Sequence, residues 1–149
     1  MFNAAGSVTS EHAHETVALQ TTRGISIDIS AGAILVPILH DADHAIGIYS
    51  VDFLFTTAAD TATGSFDVGI ISDTNAIVAA QSVDTDVIGA HAAGTTLSAT
   101  LATTLTDKVF KHGGKPIVQP GNTIVCSATG TNTAAGYVQI TFWRVQPST

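Results

Sequence analysis

Apolar residues recur at every second position in run after run of this chain, and a period of two marks half-buried β-strands. The clearest run covers residues 24–30, where Ile25, Ile27 and Ile29 alternate with Ser26, Asp28 and Ser30. Residues 45–57 predict a long strand whose Tyr49, Val51, Phe53 and Phe55 form the strongest apolar stripe. Residues 65–72 follow, with Phe66, Val68 and Ile70 inward. Near the end, Ile124, Cys126 and Ala128 share one face of a strand, as do Val138, Ile140 and Phe142. Shorter strands are expected from Val17 and Leu19, over 76–83, and over 95–101 with Leu97, Ala99 and Leu101 inward. Residues 34–39 are continuously apolar, which predicts burial on both faces, although Pro37 directs that strand to a sheet edge or a bulge.

Two pairs of these runs read as β-hairpins. Between 123–129 and 137–145 lies a small Gly/Thr/Asn segment, and only registers of one parity bury both apolar sets. The tightest pairs Ala128 with Val138, Cys126 with Ile140 and Ile124 with Phe142, leaving residues 131–135 as the loop. The other face then carries Thr123, Val125, Ser127 and Thr129 opposite Tyr137, Gln139, Thr141 and Trp143. By the same reasoning Phe55 pairs with Phe66, Phe53 with Val68 and Val51 with Ile70.

The segments between strands carry turn chemistry. Residues 31–32, 40–44 and 107–114 read as turns, and 84–94 permits either a short helix or a loop. Residues 1–15 are polar and unpatterned, an N-terminal arm ahead of a single domain over 16–149. About eight strands separated by turns predict an all-β antiparallel β-sandwich of the jelly-roll type.

Composition supports the all-β class and adds a constraint. Hydrophobic residues make up 45% of the chain and charged residues only 11%, well below the usual quarter. A surface so poor in Lys, Arg, Asp and Glu suits a chain that buries area against partner subunits. The net charge of −7 argues against nucleic acid as a partner, because phosphate contact needs a basic face. No apolar run approaches the roughly 20 residues of a membrane-spanning helix, and the first residues lack the pattern of a signal peptide. One cysteine, Cys126, excludes an internal disulfide framework and fits synthesis in a reducing cytoplasm.

No catalytic constellation emerges, and the chain reads as a non-enzyme without a cofactor. His12 and His14, at a spacing that points both the same way on a strand, are the weak metal candidates, with Glu11 beside them and Glu15 following. A histidine pair on a solvated arm is the simpler reading. His40, Asp41, Asp43 and His44 put four potential ligands in five residues, but strands on both sides make this an ordinary turn. Cys126 lies among inward residues and reads as core. Lys108, Lys111 and Lys115 sit in a stretch without phosphate-loop spacing, a cationic turn suited to an acidic partner surface.

Val118-Gln-Pro-Gly-Asn-Thr-Ile-Val125 and Gly136-Tyr-Val-Gln-Ile-Thr-Phe-Trp-Arg-Val145 carry a resemblance. A Pro-Gly-Asn turn entering a penultimate strand, then an aromatic-ended closing strand, resembles the end of the small head decoration (cement) proteins of tailed bacteriophages. The likeness implies a jelly-roll homotrimer on the outer surface of a virion capsid, bound to the major capsid protein and made in the host cytoplasm. It implies contact surfaces at the arm, with Glu11, His12 and His14, and at Tyr137 and Trp143. Two alternatives stay open: a carbohydrate- or receptor-binding jelly-roll module of a phage fibre or tail, with Trp143 and Tyr49 in its groove, and a cupin-like metalloprotein using His12 and His14.

Overall fold

From Ile25 onward the period-two runs form strands, and the strands assemble into two antiparallel sheets with their apolar faces inward; of the strand expected from Val17 and Leu19, Val17 lies outside the described residues and Leu19 precedes the first strand. The computed structural model describes residues 19–102 and 109–145. In chain order the elements are β1 (Gln20–Thr21), β2 (Ile25–Asp28), β3 (Ala33–His40), β4 (Ala45–Thr57), β5 (Gly64–Ile70), β6 (Asp73–Ser82), α1 (Thr85–Ile88), β7 (Thr96–Ser98), β8 (Val109–His112), β9 (Lys115–Val118), β10 (Thr123–Gly130) and β11 (Ala135–Val145). The larger sheet runs β1-β11-β4-β9-β8, with β2 also on β11 and β7 also on β4; the smaller runs β3-β10-β5-β6. The fold is therefore an all-β antiparallel sandwich.

The two expected hairpins are not hairpins: the four runs exchange partners. Strand β4 pairs with β11, setting Val51 against Ile140 and Phe53 against Val138. Strand β5 pairs with β10, setting Phe66 against Ala128, Val68 against Cys126 and Ile70 against Ile124. The connections 58–63 and 131–134 cross from one sheet to the other. The inward sets are as expected, since Val51, Phe53, Phe66, Val68, Cys126, Val138 and Ile140 are all fully buried. They face each other across the core instead of across a ladder, as Phe53 and Phe66 do with ring centroids 5.4 Å apart. Alternation dictates which face is buried and leaves open which strand supplies the hydrogen bonds.

The two crossings are bonded to each other around one buried side chain. Asn132 is fully buried and the sole buried polar side chain among the described residues. Its amide nitrogen donates to the carbonyls of Asp60 (2.9 Å) and Ala62 (2.6 Å). Its amide oxygen accepts from the N–H groups of Asp60 (3.3 Å) and Ala134 (3.0 Å). Asp60 answers by accepting from Ala62 and Thr133, and Thr63 O accepts from Thr131 and Asn132. The two crossings thus satisfy each other's backbone, as a buried turn must.

Other departures are local. The β4–β11 ladder shifts between Thr141 and Phe142, so Ser50 partners Thr141, Ile48 partners Phe142, and Tyr49 is the extra residue. This bulge reverses the parity of β4: Ile46 and Ile48 turn inward, and Tyr49 leaves the expected apolar stripe for the surface. The 107–114 turn resolves within the described residues into a β8–β9 hairpin, closed by Gly113 (φ 60°) and Gly114 (φ 81°). Two consecutive positive φ values define the tight hairpin turn that glycine favours. In the 84–94 stretch, Asp84 caps the single-turn helix α1 by accepting from Asp86 N.

Strand β3 is an edge, as Pro37 indicated, but it is not buried on both faces. Ile34 is 86% exposed and Leu35 37% exposed. The strand bulges against β10 between the partners of Cys126 and Ala128. There Leu35 takes φ 51° and gives its N–H to Ser127 Oγ at 3.2 Å.

Replacing Asn132 with Ala leaves buried donors and acceptors in both crossings unpaired, which should cost about 3 kcal/mol. Urea denaturation of the purified variant checks this. A loss below about 1 kcal/mol would mean that the clasp is not what holds the crossings together.

Candidate interaction surface

The outward face of the larger sheet follows directly from the alternation of β11. Tyr137, Gln139, Thr141 and Trp143 point away from the core, and their partners on β4 are Leu54, Asp52, Ser50 and Gly47. Tyr137 is 44% exposed and Tyr49 49% exposed; Trp143 and Leu54 are half-buried. Thr123, Val125, Ser127 and Thr129, expected beside them, belong to the other sheet and so to the opposite side of the molecule.

Trp143 is seated by a glycine. A Cβ on Gly47 would lie 2.1–2.6 Å from three indole atoms, so the ring rests directly on the β4 backbone. Tyr137 packs over Gly24 in the same manner, with its Cβ 2.9 Å from the position a Gly24 side chain would take. Beside Trp143, the Lys115 ammonium lies 4.7 Å from the Tyr49 ring centroid and donates to Tyr49 O at 2.9 Å. A cation over an exposed ring contributes about 0.5–1 kcal/mol and holds the ring in place. Between the aromatic ends the face is polar: Asp52 accepts from Ser98 Oγ at 2.7 Å and from Ser50 Oγ at 3.4 Å. The result is a sheet face with aromatics at both ends and a polar middle.

The His40–His44 turn closes one end of the sandwich as a structural corner. Asp41 accepts from Arg144 Nε at 2.7 Å, from the N–H groups of Asp43 and His44, both at 2.9 Å, and meets His44 Nδ1 at 3.2 Å. The Arg144 guanidinium first, then the two N–H groups, hold its carboxyl well below the usual carboxylate range. Arg144 Nη1 also reaches Gln20 on β1, tying three segments together. His40 turns to Thr123 Oγ1 at 2.9 Å instead. Among the described residues no three His, Cys, Asp or Glu side chains gather as a metal site would require. Cys126 is fully buried in the core, and burial pushes its thiol up to about 12; it is inert packing, not a nucleophile.

Glu11, His12 and His14 lie outside the described residues, as does Lys108. Tyr137 and Trp143 share one face but not one spot, six residues apart on a strand that rises about 3.3 Å per residue. Sequence reasoning missed the Lys115–Tyr49 contact, because the bulge that turns Tyr49 outward has no signature in the alternation. It also missed the exposed Ile34–Leu35 pair, which looks like core in any count of apolar residues.

No protein-family model, no curated protein and no solved structure matches this chain.

Two measurements test the geometry. Because Asp41 titrates below its unfolded value near 3.9, its contribution is complete above that value and is lost as pH falls through the folded pKa. Removing its partner with Arg144→Ala should therefore destabilise the protein at pH 6, and the gap from the parent should narrow steadily below about pH 4. Denaturation midpoints across that range decide it; a gap independent of pH would separate Arg144 from Asp41. Gly47→Ala should push the indole of Trp143, the chain's one tryptophan, off the strand and into water. Its fluorescence emission should shift to the red, and an unchanged spectrum would refute the seating.

Proposed function

We propose that this chain is a structural virion protein, a capsid decoration protein that binds the outer head surface as a homo-oligomer, with a trimer expected, and stabilises the shell. The observation that carries the reading is the outward face of the larger sheet, where Tyr49, Tyr137, Leu54 and Trp143 stand exposed or half-exposed in a charge-poor setting. Side chains of this kind anchor protein interfaces, since they bury large area at low entropic cost. The resemblance of the final two strands to phage decoration proteins supplies the capsid as the partner.

Strand order supports the jelly-roll part of the reading. Pairs β5·β6, β4·β9, β3·β10 and β2·β11 are nested in the chain, as in one long hairpin rolled into two sheets. Such a body needs no chemistry to act as cement. Each copy contributes a modest contact, and a multivalent assembly bridging neighbouring capsomers multiplies it.

A carbohydrate-binding reading draws on the same face, because Trp143 and Tyr49 flank the hydroxyls of Ser50 and Thr141 and the Asp52 carboxylate. A single experiment separates the two readings. Capsids lacking decoration, mixed with the purified protein, should carry it through sedimentation, with density at local three-fold positions on imaging. Protein left in the supernatant would overturn the decoration reading, and binding on a glycan array that Trp143→Ala abolishes would establish the other.

A further inference from the structure

One half of the outward face of the larger sheet is suited to a flat ligand. A Cβ on Gly47 would lie within 2.6 Å of Cε2, Cζ2 and Cδ2 of the Trp143 indole. Those three atoms surround that position, so the face of the indole, and not its edge, lies on the β4 backbone. The opposite face of the ring is turned away from the sheet. Trp143 is half-buried, so it does not project into a partner's pocket as the aromatic anchors of protein interfaces do. It presents a platform instead.

Beside it stands a second ring held in place. The Lys115 ammonium lies 4.7 Å from the Tyr49 ring centroid and donates to Tyr49 O at 2.9 Å, and Tyr49 is 49% exposed among the described residues. Further along the same strands Ser50 stands opposite Thr141, and Asp52 opposite Gln139. Asp52 Oδ1 accepts from Ser98 Oγ at 2.7 Å, and its Oδ2 accepts from Ser50 Oγ at 3.4 Å. The two serines fix the carboxylate and leave its remaining lone pairs to accept from a ligand. Serine and threonine hydroxyls and the Gln139 amide both donate and accept, so this row suits a ligand whose own groups do both.

Charge narrows the ligand further. Asp52 and Lys115 place one charge of each sign on this part of the face, so the pair selects neither an anion nor a cation. The ammonium is already engaged by the carbonyl and ring of Tyr49. The carboxylate keeps free capacity, and on a chain of net charge −7 it repels uronate, sialate and sulfate groups at close range. From Trp143 to Gln139 the β11 strand runs about 13 Å, longer than a single sugar ring.

We propose that this face binds a neutral oligosaccharide along β11, with one pyranose ring stacked on the outer face of Trp143 and hydroxyls of a neighbouring ring donating to Asp52. The C–H face of a pyranose is weakly positive and complements the negative face of an indole. Its hydroxyls radiate from the rim of the ring, where Ser50, Thr141 and Asp52 meet them. The inference rests on the carbohydrate reading of this face, and adds to it the class of sugar and the two side chains that select it.

The test uses the full chain on an array carrying gluco-, galacto- and manno-oligosaccharides beside sialylated, uronic-acid and sulfated ones, followed by titration with the neutral sugar that binds best. The parent should bind neutral sugars alone. Saturating sugar should shift the emission of Trp143, the chain's one tryptophan, to the blue as water leaves its outer face. Trp143→Ala and Asp52→Asn should each weaken binding about tenfold or more, with circular dichroism matching the parent. Asp52→Asn keeps the size of the side chain and decides the matter if Trp143→Ala fails to fold. Binding confined to acidic sugars would overturn the inference and leave the carbohydrate reading standing. A folded parent that binds no sugar would overturn both. Sugar binding that leaves the Trp143 emission unchanged, or that is undiminished in Asp52→Asn, would place the sugar elsewhere and overturn the inference.

Discussion

A single buried side-chain amide clasps the two segments that carry this chain from one sheet to the other. Asn132 engages Asp60, Ala62 and Ala134 through its side-chain amide, and those residues belong to the two segments that cross between the sheets. Without partners there, both crossings would carry orphaned backbone groups in a dry interior, at about 1–3 kcal/mol for each. With partners, β4 and β5 are free to leave each other, as are β10 and β11. Each then finds a longer ladder elsewhere: β4 matches β11 from Ala45 to Thr57, and β10 is flanked on both sides by β3 and β5. The core between them follows, with Phe53 packed on both Phe55 and Phe66. Burial of each such ring contributes about 1.5–3 kcal/mol.

The outer surfaces are shaped by irregularities in that framework. Where β4 takes an extra residue, Tyr49 moves to the surface and meets Lys115. Gly47, having no side chain, lets Trp143 lie on the backbone. Leu35 accepts a positive φ, and Ser127 satisfies its N–H across the bulge. At the far edge of the same sheet Ala80, also at positive φ (47°), gives its N–H to Asp67 at 2.6 Å. Both edges of the smaller sheet are thus broken by bulges whose loose donors are taken up by neighbouring side chains. Bulged edges resist strand-by-strand addition, so contact there falls to side chains.

Charge is used sparingly in this chain, at 11% of its residues. One of its few charged pairs, Arg144 with Asp41, closes a corner of the sandwich. Aromatic and aliphatic groups remain outside, on the large sheet and on β3.

The sequence by itself determined the class of fold and the inside and outside of nearly every strand. Ile27, Ile29, Val51, Phe53, Phe66, Val68, Cys126, Val138 and Ile140 are buried as their alternation demands, and Tyr137 and Trp143 face outward as the same alternation demands. The β3 edge was legible from Pro37. Only the tertiary structure decided which strands pair, because a period of two is satisfied equally by a neighbour in a ladder and by a neighbour across the core. It also decided the surface sites. One extra residue in β4 sends Tyr49 outward, and one bulge on β3 exposes Ile34 and Leu35. Such single-residue slips arise where ladders of unequal strands meet, which no local pattern records.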